Sequence, residues 1–329
     1  MASQADWRPT ASPAVLKLRA TLLARIRRYF EREQVLEVDT PALSCAAVTD
    51  PQLESFATPY HGPGERHGRT LYLHTSPEFP MKRLLAAGSG SIYQVCKVFR
   101  DGEAGALHNP EFTLLEWYRT GFDHLDLMDD LEQLLRDVLD GILPLASVHH
   151  WTYRDLFREF AGLDPFTATA TGLMNLLESR HALVPVGMQD ATLDDWLDLA
   201  MTHVIEPQLG NGLVFVRDYP PEQAALARVR PGNPPVASRF EAYLNGVELA
   251  NGFHELTDAQ EQRRRFKEDC ARRERLRLPA VAMDEYLLDG LAAGLPDCAG
   301  VALGLDRLLM IACGAGSLAE VLAFSFEVS

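Results

Sequence analysis

The sequence predicts an α+β fold on the strength of two β-hairpins and two amphipathic helices. Ser91–Arg100 and Phe112–Tyr118 are rich in β-branched and aromatic residues and flank a charged loop, which is typical of an antiparallel hairpin. Asn245-Gly246 lies between two alternating runs, and this pattern predicts a second hairpin. Apolar residues recur at helical spacing over 14–33 and 123–143. Strands and helices therefore both contribute to the fold.

Composition limits the class of protein. The chain has 329 residues, of which 47% are hydrophobic and 23% charged, enough for one large domain or two small ones. Its net charge of −15 argues against a protein that holds tRNA or DNA mainly through phosphate contacts. Five scattered cysteines without a CxxC pair indicate reduced thiols and no zinc site. No signal peptide or membrane span is apparent, so we expect a cytoplasmic protein without membrane contact.

The N-terminal part predicts an arm, a helix and a short strand. Residues 1–13 are polar and contain two prolines, which suggests an arm. The helix over 14–33 places Leu18, Leu22 and Ile26 on one face, and we expect its basic face, which includes Arg19, to be solvated. A short alternating strand follows and ends at Pro41.

A strand and a capped helix follow between residues 71 and 87. Leu71–Thr75 has the pattern of a strand, and Phe79–Ala87 that of a short helix. Ser76 suits the cap, Pro77 the first helical position, and Glu78 the positive end of the helix. These residue types are explained by capping alone.

The middle of the chain predicts structural elements without a catalytic signature. The amphipathic helix within 123–143 and further helical segments within 150–210 contain no arrangement typical of an active site. Leu213–Tyr219 is predicted to be a strand that ends at two prolines. The highly charged stretch 258–277 predicts an exposed helix whose arginines are offset by neighbouring acids.

The first hairpin has one face that suits a binding pocket. Alternation places Phe112, Leu114, Glu116 and Tyr118 on the same side of the second strand. Two apolar residues, a carboxylate and a phenol suit a pocket floor that stacks a flat ring at one end and holds a cation at the other. Arg100, at the end of the first strand, is placed to reach an anion. A solvated hairpin with an ordinary polar face is the alternative.

The second hairpin presents two spaced carboxylates. Past the turn, alternation predicts that Glu248 and Ala250 share one face, and Leu249 and Asn251 the other. Glu255 follows Glu248 by seven residues, and such a pair suits Mg²⁺, which prefers oxygen ligands. Two unrelated surface acids are the alternative.

Near the C-terminus, a glycine-marked strand over 296–304 leads into a helix. Arg307 falls in the first turn of this helix, where the guanidinium adds to the positive helix end. Helix N-termini bind phosphate groups readily. The segment therefore predicts an anion site.

These stretches together resemble the class II aminoacyl-tRNA synthetases. The run FRDGE…HNPEF…EWY resembles motif 2 of the lysyl-tRNA synthetase branch, and the strand and helix ending at Asp306-Arg307 resemble motif 3. The N-terminal helix, strand and proline resemble motif 1, and ELANGFHEL resembles a segment of the lysine branch. The resemblance covers nearly the whole chain but leaves no room for an anticodon-binding domain. In this respect the chain resembles the ligases of elongation factor P, which are paralogues of lysyl-tRNA synthetase.

The resemblance implies a fold and an activity. It implies the class II catalytic fold, a mostly antiparallel sheet flanked by helices, over residues 14–329, with 150–210 as a helical insertion and with two copies forming a homodimer. It implies an ATP-dependent ligase that activates (R)-β-lysine as an adenylate and transfers it to a lysine ε-amino group of elongation factor P. ATP and Mg²⁺ are then required, and no tRNA is expected.

The resemblance also implies roles for individual residues. The catalytic residues it implies are Arg100 and Arg307. The residues it implies for ATP are Arg100, Asp101, Gly102, Glu103, His108, Asn109, Phe112, Glu248, Leu249, Gly304 and Arg307. Those implied for the amino acid are Ser76, Pro77, Glu78, Glu116, Tyr118, Asn251, Glu255 and Ala302. The two glutamates implied for Mg²⁺ are Glu248 and Glu255.

The sequence departs from the synthetase pattern at two places. Asp101-Gly102 replaces the usual Asn-Glu, with Glu103 one position later, and Ala302 replaces a glycine. Two other functions stay open: a stand-alone enzyme that charges tRNA with lysine, and a non-catalytic regulatory paralogue. The second predicts damaged motif arginines, whereas Arg100 and Arg307 are both present.

Overall fold

A nine-stranded sheet forms the centre of the computed structural model, which describes residues 7–63, 68–185, 188 and 191–329. The strands are β1 Leu36–Glu37, β2 Leu43–Ser44, β3 Ala57–Tyr60, β4 Arg69–Leu73, β5 Ile92–Phe99, β6 Glu111–Thr120, β7 Val148–Thr152, β8 Leu213–Tyr219, β9 Val229–Arg230, β10 Val236–Leu244, β11 Val247–His254 and β12 Cys298–Gly304. The helices are α1 Pro13–Arg32, α2 Glu78–Ala86, α3 His124–Leu139, α4 Tyr153–Phe160, α5 Ala170–Ser179, α6 Leu193–Ala200, α7 Ala259–Arg275, α8 Glu285–Gly294 and α9 Leu305–Cys313. A π-helical turn, Met201–Ile205, extends α6.

The sheet has the strand order β1-β5-β6-β12-β11-β10-β8-β7, with β9 paired to β10. Strands β2, β4 and β3 form a smaller sheet. The pairs β1–β5 and β7–β8 are parallel, and the other pairs between described strands are antiparallel. The predicted α+β class and mostly antiparallel sheet are confirmed.

Both predicted hairpins form. Strands β5 and β6 pair from Ile92 opposite Tyr118 to Phe99 opposite Glu111. Strands β10 and β11 meet at Asn245 and Gly246, whose φ angles are +53° and +78°. Two consecutive residues in this left-handed region match a two-residue hairpin turn, and asparagine and glycine adopt it at little cost.

One face of the sheet carries the main hydrophobic core. Helices α1, α3 and α9 pack there, and β6 contributes the fully buried Leu115 and Trp117. Asp130 of α3 accepts hydrogen bonds from Trp117 Nε1 at 3.0 Å and from Arg119 Nε at 2.8 Å. This buried acid, satisfied by two donors of β6, fixes α3 against the sheet. The predicted structural role of α3 is thereby confirmed.

Helices pack over the two ends of the opposite face. Helices α2 and α8 pack over one end in a cluster that includes Met81 and Leu287. Helices α4, α5 and α6 cover the other end, where Phe157 and Leu197 are buried against β8 and β10. The centre of this face is left open as a cavity.

The N-terminal segment is anchored by the C-terminal one. Residues 1–6 of the predicted arm lie outside the described residues, whereas Thr10 donates a backbone hydrogen bond to the carbonyl oxygen of Ala323 at 2.9 Å. The prediction that Arg19 is solvated is wrong, because its guanidinium forms an ion pair with Asp306. No helix in the described part of the chain combines the length and apolarity needed to cross a bilayer.

Candidate active site

The cavity on the open face of the sheet has a volume of about 870 Å³. Its floor consists of side chains from β6, β12 and β11, which are neighbours in the sheet. The register places Glu116 opposite Ala302 and Ala302 opposite Asn251 in one row across these strands. Sequence alternation along β6 predicted this floor correctly, since Phe112, Leu114, Glu116 and Tyr118 all line the cavity.

A β-bulge corrects the predicted faces of β11. Glu248 pairs with Tyr243 and Ala250 with Ala242, so Leu249 is the extra residue between two paired positions. The extra residue reverses the alternation, because two residues of β11 oppose one of β10. Ala250 and Leu249 therefore belong to the main core, and Glu248 lies on the same face as Asn251 instead of the face of Ala250.

One end of the cavity carries two arginines. The guanidinium of Arg100 lies over the ring of Phe112, with its central carbon 5.0 Å from the ring centroid. Its Nη1 is 3.5 Å from Glu103, whereas its buried Nε has no hydrogen-bond partner. Arg307, in the first turn of α9 as predicted, donates to the Glu248 carbonyl oxygen at 2.9 Å and to its carboxylate at 3.1 Å. An unsatisfied guanidinium N–H beside a second arginine favours an anionic ligand.

The loop between β5 and β6 closes over this end. Nη2 of Arg307 lies 3.0 Å from Nε2 of His108. Burial and the positive charge of Arg307 lower the pKa of His108, so the neutral ring accepts this hydrogen bond. Asn109 donates from its side chain to the carbonyl oxygen of Glu111 at 2.6 Å and accepts from the backbone N–H of Phe326 at 3.2 Å. The loop is thus held by both α9 and the C-terminal segment.

The other end is a buried cluster of acids around one lysine. Lys82 of α2 is only 2% exposed, and its ammonium lies 2.6 Å from both Glu78 and Glu255. Glu116, also 2% exposed, accepts hydrogen bonds from Ser76 Oγ and from Tyr118 Oη, each at 2.7 Å. Three carboxyl groups therefore surround one lysine in the described part of the chain.

Two acids of the cluster have strongly raised pKa values. Burial, followed by the negative charge of Glu78, raises the pKa of Glu116 to about 7. Burial also raises the pKa of Glu255 to about 8, against the opposing charge of Lys82. Burial disfavours the lysine cation, yet the charges of Glu255 and Glu78 outweigh it and raise the pKa of Lys82. An excess of acids over cations in a buried pocket is best neutralised by a positively charged ligand.

Gly300 permits the close approach of two residues of this cluster. A β-carbon at this position would lie 2.2 Å from Cε1 of Tyr118 and 2.5 Å from Oε1 of Glu255. Glycine within a strand marks such a site of close approach. Gly300 was not among the predicted site residues, although its place in the glycine-marked strand was the available signal.

Most predicted residues lie in this one cavity. Those that line it are Ser76, Glu78, Arg100, Glu103, His108, Asn109, Phe112, Glu116, Tyr118, Glu248, Leu249, Asn251, Glu255, Ala302, Gly304 and Arg307. Asp101, Gly102 and Pro77 are not part of the lining. Asp101 and Gly102 form a turn, in which Gly102 has a φ of +80°. After this turn Glu103 again lines the cavity. The N-cap of α2 is Pro77, one residue after Ser76, which was the predicted cap. The Ser76 hydroxyl accepts a hydrogen bond from the backbone N–H of Glu78 at 2.9 Å.

The predicted pairing of Glu248 with Glu255 around one metal ion needs correction. The two residues lie at opposite ends of the cavity, Glu248 against Arg307 and Glu255 against Lys82. Seven residues of strand span roughly 20 Å at about 3.3 Å per residue, whereas Mg²⁺ binds ligand oxygens at about 2 Å. These placements and this length disfavour one ion shared by both side chains. Glu241 instead shares the face of Glu248, and its negative charge, after burial, raises the pKa of Glu248.

Sequence reasoning missed two charged residues of the site. Lys82 follows Glu78 by four residues, a spacing that is more often a surface ion pair. Arg239 is partly buried and lines the cavity, where it donates to Asn251 at 3.2 Å and pairs with Glu241 at 2.5 Å. The position of Arg239 on β10, before the Asn-Gly turn, does not by itself indicate a residue of the site.

Comparisons with known proteins agree with this geometry. Residues 3–327 match the family of class II tRNA synthetases (D, K and N). Proteins named elongation factor P–(R)-β-lysine ligase are similar over nearly their full length. The one from Vibrio vulnificus is 47% identical over 99% of this chain and 100% of the relative, and that from Vibrio cholerae 48% over 98% and 99%. The one from Salmonella paratyphi B is 47% identical over 99% of both chains. The chain therefore belongs to the class II tRNA synthetase family.

Proposed function

We propose that this protein is an ATP-dependent ligase that activates (R)-β-lysine as an adenylate and transfers it to the ε-amino group of a lysine on elongation factor P. The observation that carries the proposal is the polarity of the cavity, which has two arginines at one end and, at the other, the buried carboxyls of Glu116 and Glu255 with the partly buried carboxyl of Glu78. The phosphates of a nucleotide match the arginine end, and the ammonium groups of a diamino acid match the acid end. The names of the relatives supply the amino acid and the acceptor.

The arginine end suits ATP. We propose that Arg100 contacts the α-phosphate, and that Arg307 contacts the γ-phosphate or the adenine face. Phe112 would stack on the adenine, which His108, Asn109 and Glu103 would border. Attack of a carboxylate on a phosphate brings two anions together, so fixed cations that stabilise the developing charge lower the barrier. The remaining contribution is positioning, because no covalent enzyme intermediate is required.

The acid end suits the amino acid. Glu78, Glu116 and Glu255 would accept the ammonium groups of the substrate, with Ser76 and Tyr118 holding Glu116 in place by the observed hydrogen bonds. Asn251 and Ala302 lie in the row between the two ends. The methyl group of Ala302 takes up space that glycine would leave open, and we propose that it contributes to selection among lysine isomers.

Glu241 and Glu248, at the arginine end of the cavity, suit a magnesium ion better than the predicted pair of Glu248 and Glu255. Glu241 and Glu248 are carboxylates on one face of neighbouring strands, and the Glu248 side chain is 41% exposed. Oxygen ligands shared with nucleotide phosphates are what Mg²⁺ prefers. We propose that these two glutamates hold the ion, which when bound would neutralise phosphate charge.

The domain organisation, oligomeric state and location are also proposed from membership of the family. Residues 14–329 would form one catalytic domain in which 150–210 is a helical insertion, and two copies would form a homodimer in the cytoplasm. We expect no use of tRNA as acceptor. Pyrophosphate exchange with (R)-β-lysine and with α-lysine tests the activation step, and a tRNA-charging assay tests the competing acceptor. Charging of tRNA at a rate above that of protein modification would contradict the proposal.

The amino-acid affinity should depend on pH. The raised pKa values of Glu116, about 7, and Glu255, about 8, mean that these groups lose their charge as the pH falls through that range. The ionised forms bind ammonium groups, so KM for the amino acid should fall several-fold between about pH 6 and about pH 8.5. Pyrophosphate exchange measures this, and KM for ATP serves as the internal control. A KM for the amino acid that is constant over this range would contradict the assignment.

The substitution Gly300→Ala should damage the amino-acid end selectively. The added methyl group would overlap Tyr118 and Glu255 at the distances given above, so one of them must move. We expect KM for the amino acid to rise by at least about tenfold, the loss typical of one misplaced charged hydrogen bond. Gly316→Ala is a matched control, because the nearest atom to its β-carbon would lie at 3.6 Å. Equal kinetics of the two variants would argue against close packing at Gly300.

A further inference from the structure

A second cavity adjoins the first. It has a volume of about 710 Å³ and lies between the sheet, the helical segment formed by α6 and its π-helical turn, and α7. Arg239, Glu248 and Asn251 line both cavities, so they form the boundary between them. Thr202 and Arg264, which also line the second cavity, are exposed on the surface. The second cavity is therefore a passage from the surface to the middle of the first.

The walls of this passage carry unneutralised acids. Its arginines have partners: Arg264 and Arg265 pair with Glu261, Arg272 with Asp195, and Arg239 with Glu241. Six acids that line the passage form no ion pair within the described residues: Asp50, Asp194, Asp198, Glu206, Glu222 and Asp269.

The pKa values of two of these acids are raised. Partial desolvation is the main cause that raises the pKa of Asp198 to about 6, against the opposing charge of Arg239. Burial and the charge of Glu222 raise the pKa of Asp194. A cation entering the passage would relieve this mutual repulsion.

Buried phenols without partners provide an independent sign of a ligand. Tyr153 and Tyr219 line the passage and are 1% and 3% exposed. Gln223 lies near the first phenol and Glu241 near the second, yet neither phenol oxygen has a partner of good hydrogen-bond geometry among the described residues. Their rings lie 4.6 Å apart. Buried polar groups are nearly always satisfied, because leaving one unpaired costs about 1–3 kcal/mol. Acids without cations and phenols without partners together fit a ligand that has an aliphatic stem and a cationic, hydrogen-bonding head.

We infer that this passage admits the side chain of the acceptor lysine, whose ε-ammonium is drawn in by Asp194, Asp198, Glu206 and Glu222 and delivered at the boundary formed by Arg239, Glu248 and Asn251. The inference rests on the proposed function. The region 150–210 contributes the outer wall through Tyr153, Asp198 and Glu206. Its role in the protein is then to select a cationic nucleophile.

The chemistry of transfer matches such a passage. The ammonium first gives up one proton, and the neutral nitrogen then attacks the carbonyl carbon of the adenylate. The bond from this carbon to the phosphate oxygen breaks, AMP leaves with the electron pair, and the nitrogen loses a second proton as the amide forms. The released protons can leave to solvent through the passage, since Thr202 and Arg264 at its wall are exposed.

The test compares two nucleophiles with the substitution Asp198→Asn in the full-length protein. Hydroxylamine is neutral near pH 7 and traps the adenylate as a hydroxamate, whereas the lysine of elongation factor P arrives as a cation. We expect kcat/KM for elongation factor P to fall by at least about tenfold, with hydroxamate formation unchanged, because a charged hydrogen-bond partner is lost only for the cation. Glu222→Gln should act in the same direction. Glu178→Gln, an exposed acid of α5, is the matched control.

Three results would overturn the inference. Unchanged transfer to elongation factor P would show that the acids do not guide the acceptor. Equal losses with both nucleophiles, or a loss that additional Mg²⁺ restores, would assign Asp198 to folding or to metal binding. Hydroxamate formation by the unsubstituted protein without any transfer to elongation factor P would instead refute the proposed acceptor, and the inference with it.

Discussion

Replacement of Arg100 by alanine should reduce amino-acid-dependent pyrophosphate exchange by about 10³-fold, at the upper end of what one preorganised charged donor contributes to a transition state. Arg100 has a buried Nε without a partner and only a 3.5 Å contact to Glu103, so its charge is available for a ligand. Its side chain stacks on Phe112 and lies at the surface of the cavity. The loss should therefore appear in catalysis and leave the thermal unfolding transition nearly unchanged.

Arg28→Ala provides the control for this substitution. Arg28 is an exposed arginine of α1, far from the cavity lining. Its replacement removes the same charge from the protein without removing a charge from the cavity. An exchange rate of Arg100→Ala equal to that of Arg28→Ala would refute the role of Arg100.

The substitution Glu116→Gln should weaken amino-acid binding by roughly 10- to 100-fold while KM for ATP stays within about twofold, because a hydrogen bond to a charged group contributes about 1.5–3 kcal/mol. Glutamine keeps the size of the side chain and one acceptor oxygen for Ser76 or Tyr118. It removes the negative charge that would meet the substrate ammonium. The dependence of KM on pH should also become weaker.

Isothermal titration with the amino acid and with ATP separates the two affinities. The control is Gln133→Glu, which changes an exposed residue of α3. Gln94→Glu is unsuitable because Gln94 is buried. Equal losses of affinity for both ligands in Glu116→Gln would mean that the carboxylate supports the whole cavity and does not recognise the amino acid.

The features of this site that could be predicted are those that depend on residues close together in the sequence. The pocket face of β6 depends only on the alternation of one strand, and the turn at Asn245-Gly246 depends on two residues, so both were predicted. The position of Arg307 follows from the boundary between a strand and a helix. The family resemblance then joined these segments, and the described structure places their side chains in one cavity.

Other features depend on contacts between distant segments. The bulge at Leu249 is defined by its pairing with β10, and no residue type announces it. The burial of Lys82 requires Glu255, which is far away in the sequence and joins it only in the fold. Arg19 likewise meets Asp306 across most of the chain. The missed residues are thus those whose function arises from tertiary packing.

The central claim is that the cavity makes an adenylate of (R)-β-lysine and passes it to a protein. The most direct test is the intact mass of elongation factor P after incubation with this protein, ATP, Mg²⁺ and (R)-β-lysine. We predict a gain of one lysyl unit on a single lysine, which requires ATP and is absent with Arg100→Ala. An unchanged mass, with pyrophosphate exchange still dependent on the amino acid, would contradict the claim and make tRNA the next acceptor to test.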